Sequence, residues 1–262
     1  MKSNVVLAAA AHPDDIEFMM AGTLLRLRDA GWDVHYLNIA NGSCGSAEYD
    51  GPTTARLRTA EAREACRLLG ATFHEPLVDD LMIFNTPELR ARLCSLVRDV
   101  QPDALLLQSP QDYMDDHTEA VALMVAAAFC RGMRNFAVTP PRPPTDHPVA
   151  LYHALPHGLR DPLRRRILPE FYVDITGVLD RKTSLLACHR TQQTWLDTSQ
   201  GMNQYLQTLH DLAHEAGRWS GCFAAAEGWR RHLHLGFGPE DFDPLRAALA
   251  GLIREEPRYP TE

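Results

Sequence analysis

The chain has 262 residues, 45% of them apolar, and a formal net charge of −8. That length and composition suffice for one full α/β core, alone or with an appendage. The acidic balance argues against nucleic acid, whose affinity comes from clustered Lys and Arg, and no apolar run reaches the roughly 20 residues of a membrane span.

The first residues end in a histidine and aspartates rather than at a small-residue cleavage site, so a cytoplasmic location is expected. VVLAAAA at 5–11 reads as a buried strand, 16–30 as a helix stopped by Gly31, and VHYLNIA at 34–40 as a second strand. A helix over about 54–69 stops at Gly70, a brief strand follows near Thr72, and Pro87 opens a helix that runs to Val100. ALLLQ at 104–108 is the next apolar strand, and the chain turns helical again from His117. VTPPRPPTDHP at 138–148 has too many prolines for a helix or central strand and reads as a connection. VALYHAL and FYVDIT then read as strands, and 178–188, 202–216 and 244–253 as helices.

Strands separated by helices imply right-handed crossovers and an α/β fold. Its Rossmann-like, doubly wound and mostly parallel sheet is flanked by helices. One domain is expected, with a core over about 1–192 and a more helical region over about 193–262. Six scattered cysteines with no C-x-x-C pair are expected to be reduced and mostly in the core. The one strong basic cluster, RDPLRRR at 160–166, reads more simply as a solvated face or subunit contact than as an anion site.

Ligands of such sheets gather outside the carboxyl ends of the strands, near the switch in strand order. Three polar clusters fall at such ends: HPDD at 12–15, NGSCGS at 41–46 and SPQDYMDDH at 109–117. The first turn has neither G-x-G-x-x-G nor a P-loop, and two vicinal carboxylates would repel a pyrophosphate. They attract a cation instead, and the adjacent imidazole points to a transition metal. His12 and Asp15, three residues apart across a strand-to-helix turn, can converge on one ion while Asp14 points elsewhere. His117, just after another strand tip, is the best-placed third ligand. Three such ligands and an open position suit catalytic Zn2+, and iron(II), nickel or cobalt would also be accepted.

AHPDDIEFMMAGTL at 11–24 resembles the A-H-P-D-D-x-E-x-x-x-G-G-T-L signature of the LmbE-like, or PIG-L, deacetylases, zinc enzymes that remove N-acyl groups from glucosamine-type sugars. RTAEAREACRLLG at 58–70, DYMDDHTEA at 112–120 and DITGVLDRKTSLLACHRTQ at 174–192 are similar to further family segments, so the likeness spans about 4–192. It implies His12, Asp15 and His117 as zinc ligands and Asp14 as the general base. It also implies Arg58 as a substrate-binding arginine and Asp79 or Asp80 as a sugar contact. Arg58 could equally be a surface partner of Glu61 or Glu64.

The second metal motif departs from the family's H-P-D-H, because Met114 stands where a histidine is thought to stabilise the oxyanion. A thioether cannot donate a hydrogen bond, and losing such a donor costs roughly 10² to 10³ in rate. Either another group substitutes or the chemistry is altered. His189 is the leading candidate, ahead of His153 and His157.

The resemblance implies a zinc-dependent N-deacetylase acting on a small-molecule amino-sugar conjugate, with a homo-oligomer left open. An amide or ester hydrolase for a non-sugar substrate, or a metal- or sugar-binding protein without catalysis, are the alternatives. Trp195, Trp219, Trp229 and Tyr205 either line a wider pocket or fill the core.

Overall fold

The computed structural model describes residues 3–200 and 204–259, and the side chains of all of these but 197–200. Five parallel strands form one half of the sheet: β1 (Val5–Ala10), β2 (Asp33–Asn38), β3 (Thr72–His74), β4 (Ala104–Leu107) and β5 (Ala150–Ala154). β6 (Phe171–Asp174), β7 (Ala226–Arg231) and β8 (Ile253–Glu255) extend it in antiparallel fashion, in the order β3-β2-β1-β4-β5-β7-β6-β8. The mostly parallel, doubly wound sheet is therefore as expected. β1 is buried along its whole length because helices cover both of its faces. Val6, Ala8 and Ala10 pack into one apolar layer, and Leu7 and Ala9 into the other.

The helices begin and end where side chains satisfy their orphan amides. α3 (Gly51–Leu69) starts at Asp50, which accepts from the Thr53 amide, and stops at Gly70 with φ 75°. α4 (Pro87–Val100) starts at Thr86, which accepts from Leu89 N. α5 (Asp115–Phe129) begins two residues before His117.

The single helix expected over 16–30 is instead two, α1 (Asp15–Met19) and α2 (Ala21–Asp29), broken at Met20. The break has a partner far along the chain. Glu227 of β7 accepts from the amides of Gly22 and Thr23 and from the Thr23 hydroxyl, so it caps α2 from across the sheet. A Cβ on Gly22 would stand 2.6 Å from Ile175 and 2.8 Å from the Glu227 carboxylate, which is why glycine occupies that turn.

Other boundaries also moved. α6 (Leu179–Leu186) lies within the expected 178–188. α7 (Arg190–Gln200) and β7 had no clear sequence signal, being polar stretches. α8 (Tyr205–Ser220) replaces the helix expected at 202–216, whose first two residues, Met202 and Asn203, lie outside the described residues. The helix expected over 244–253 shortens to α9 (Pro244–Ala248), a 3-10 turn and β8. The cysteines are less internal than expected: Cys66 and Cys94 are buried, while Cys44 and Cys222 are exposed. Among the described residues no helix is long and apolar enough to cross a membrane.

Candidate active site

Strand order reverses between β1 and β4, so the crevice of this sheet lies outside their carboxyl ends. The register aligns Ala10 with Asn38 and Ala9 with Leu107, and the loops after β1, β2 and β4 emerge side by side. Gln108 accepts from Ala11 N at 2.8 Å and Asn38 donates to the His12 carbonyl at 2.7 Å, which ties the first loop to both neighbours. A cavity of about 370 Å³ opens above them.

His12, Asp15 and His117 meet at its floor, with ligand atoms within 4.8 Å of one another. His12 Nδ1 is 3.5 Å and His117 Nε2 is 3.4 Å from the Asp15 carboxylate. The opposite ring nitrogens are already engaged. His12 Nε2 lies 2.9 Å from Asp116 and 3.0 Å from Asp80, and His117 Nδ1 lies 3.0 Å from Asp112. A carboxylate on the far nitrogen fixes the ring and raises the basicity of a metal-binding histidine, so the donor set fits a divalent transition metal. His12, Asp80 and Asp116 form a second group compact enough for an ion. Only one of its three residues supplies nitrogen, and those two carboxylates already hold the far side of the His12 ring.

Charge follows this arrangement. Burial alone would lower the pKa of His12, but hydrogen bonds to Asp116, Asp15 and Asp80 hold it well above the usual value. Burial would raise Asp15, and the His117 and His12 rings hold it well below the carboxylate range instead. Asp14 behaves oppositely. Burial pushes its carboxyl up to about 6, with the Arg58 guanidinium acting against the rise and Asp15 adding to it. Asp14 has φ 104°, in the left-handed region, and this turn separates its carboxylate from the ligand set. The Tyr205 hydroxyl, at the start of α8, donates to it at 2.6 Å.

Arg58 is buried on the cavity wall rather than paired on the surface of α3. It donates to the carbonyls of Pro13 and Gly42 and stands 3.8 Å from Asp14. Glu61 accepts from Thr191 instead, and Glu64 from Arg67. The glycines of NGSCGS admit the guanidinium: a Cβ on Gly42 or Gly45 would come within 2.6 Å of it. Asp80 and Met114 line the cavity, whereas Asp79 points outward to accept from Asn41.

The three histidines weighed against Met114 are widely separated. His189 does not line the cavity; its ring is wholly buried, 3.3 Å from Glu17. His153 lies in another groove, against Gln108 and His232. His157 lines the cavity. Of Trp195, Tyr205, Trp219 and Trp229, the first two line it too. Trp229 is core, donating to Thr23, and Trp219 stacks under Arg166 of the basic cluster. Asp112, Asp116 and Tyr113, all within SPQDYMDDH, join the site without an expectation from sequence. The signal that could have found the two aspartates is the need of each ligand histidine for a carboxylate on its far nitrogen.

The sequence pattern of the PIG-L family, described as GlcNAc-PI de-N-acetylase, matches residues 7–129, which include all three candidate ligands and Asp14. That match covers just under half of the chain and likens residues 7–129 to the PIG-L, or LmbE-like, family. The diacetylchitobiose deacetylase of Thermococcus kodakarensis is 27% identical over 197 residues, covering 71% of this chain and 69% of that protein. The solved N,N'-diacetylchitobiose deacetylase of Pyrococcus horikoshii superposes with a TM-score of 0.74 at 25% identity, over 93% of this chain and 89% of that one. A 4-oxalmesaconate hydratase of Pseudomonas putida is 26% identical over 198 residues, covering 71% of this chain and 73% of that protein.

Proposed function

We propose that this protein is a zinc-dependent hydrolase that removes an N-acyl group, acetyl in the first instance, from an amino-sugar-containing small molecule. The observation that carries this reading is Asp14. It is a carboxylate outside the ligand set, one residue from Asp15, held by Tyr205 and facing the same cavity. A site that only bound metal or sugar would have no use for it. The deacetylase relatives support the substrate class.

A zinc ion held by His12, Asp15 and His117 would supply a water acidified to near neutrality and would polarise the amide carbonyl. Asp14 accepts the proton of the attacking water and returns it to the nitrogen as the C–N bond breaks. Carboxylate and amine leave. Tyr205 and Arg58 fix the Asp14 carboxylate in the orientation this transfer needs. Phe18, Tyr113 and Trp195 offer flat faces against which the apolar side of a sugar ring can pack.

The hydratase relative and Met114 favour one second reading, addition of water to a carbon–carbon double bond. An assay separates the two. Acetate release from N-acetylglucosamine or N,N'-diacetylchitobiose is expected, abolished by a chelator and restored by Zn2+. No acetate from any N-acetylated sugar with the metal-loaded protein removes the deacetylase reading.

A further inference from the structure

Amide hydrolysis places negative charge on the former carbonyl oxygen, and a protein donor aimed at that oxygen is usually among the largest contributions to rate. Most donors on the cavity wall are already committed. The rings of His12 and His117 are shared between the ligand cluster and its carboxylates. Arg58 gives its terminal nitrogens to backbone carbonyls, and the Tyr205 hydroxyl serves Asp14. Met114 offers only a thioether.

His157 differs from all of these. It arrives on the 3-10 turn after β5 (His157–Leu159), an element separate from both metal-motif loops. Its ring packs edge-on against Phe18 at 5.0 Å between centroids and lies 6.4 Å from Tyr113, whose own ring is 5.7 Å from His117. Those aromatic contacts fix the imidazole plane at the cavity wall. Among the described residues its ring nitrogens make no hydrogen bond. Tyr113 is the rival donor, but the residue is 64% exposed at the rim, where water competes for the same oxygen.

We infer that His157 is a catalytic residue that donates its ring N–H to the oxyanion, in the place a thioether at Met114 leaves without a donor. This rests on the proposed hydrolase reading. As water adds to the carbonyl carbon, the C=O π pair moves onto oxygen and is held there by the His157 N–H, with no proton transferred. The pair returns as the C–N bond breaks, and Asp14 delivers the water-derived proton to the leaving nitrogen. Burial lowers the pKa of His157, against Asp15 and Asp112, so the ring enters the reaction as a neutral imidazole with one N–H to give.

The test compares wild type, His157→Phe and Tyr113→Phe, all metal-loaded, on one N-acetylated substrate. His157→Phe keeps the ring packing and removes the N–H. Its kcat is expected to fall about 100-fold with KM within a few fold, a larger loss of kcat than that of Tyr113→Phe. Affinity for a phosphonamidate analogue of the tetrahedral intermediate is expected to weaken by the same factor as kcat. An unchanged kcat in a folded His157→Phe protein, unchanged analogue binding, or the whole loss falling on Tyr113→Phe overturns the assignment. Wild-type turnover in the same experiment shows that such a failure belongs to His157 and not to the hydrolase reading, whereas an inactive wild type counts against that reading itself.

Discussion

Asp14 holds a backbone conformation, φ 104°, that costs a residue with a Cβ roughly 1–3 kcal/mol. The conformation persists because the neighbours on both sides are tied down. His12 N donates to the Asp15 carboxylate at 2.7 Å, and the Pro13 carbonyl accepts from Arg58 at 2.7 Å. The strain turns two adjacent aspartates apart, Asp14 toward Tyr205 and Arg58 and Asp15 toward His12 and His117. Asp14→Asn keeps the shape and the partner in Tyr205 but removes the proton acceptor. Its kcat is expected to fall by about 10² to 10⁴, the usual range for a general base, with metal content unchanged by elemental analysis. Full activity in that variant would transfer the proton-accepting role to another group.

At the level of the elements, one buried charge pair joins α6, β7 and the broken helix pair α1 and α2. Lys182 Nζ donates to Glu227 at 2.7 Å and to the Phe18 carbonyl at 2.8 Å, and both side chains are buried. Glu227 in turn holds the first amides of α2. Lys182→Met leaves a carboxylate without its cation in a dry interior, which typically costs about 3–5 kcal/mol. Urea unfolding at pH 7 measures it. A loss below about 1 kcal/mol would mean that the helix amides alone suffice for Glu227. The same pair explains why β7 escaped the sequence reading. AEGWRR shows no apolar alternation, and its acidic residue is internal only because Lys182 and the end of α2 come to meet it.

For the molecule as a whole, acid sensitivity is expected from histidines folded in neutral form. His35 on β2 and His74 on β3 stack with Nδ1 and Nε2 2.9 Å apart, so one donates to the other. Burial, then the neighbouring His35, lowers His74 to about 4, and burial lowers His35 against Asp33 and Asp99. An unfolded histidine takes its proton near 6.5. Between that pH and about 4 the unfolded chain binds more protons, so stability is complete above the window and lost as pH falls through it. His74→Gln should lose less unfolding free energy than wild type between pH 6.5 and 4, and equal slopes would remove the pair as the source.

Local sequence was enough for the alternation of strands and helices, the three polar strand tips, and HPDD as a candidate ligand pair with a further carboxylate beside it. These signals are local: an apolar run that ends in charge, and residues spaced three apart across one turn. It takes the packed fold to turn Arg58 inward, to face Asp80 rather than Asp79 to the cavity, and to bring His157 rather than His189 to its wall. The same packing brings Tyr205, 191 residues from Asp14 along the chain, to grip it. Such contacts join residues far apart in the chain, and which of several histidines or tyrosines arrives depends on how helices pack across the sheet, which no short stretch of sequence encodes.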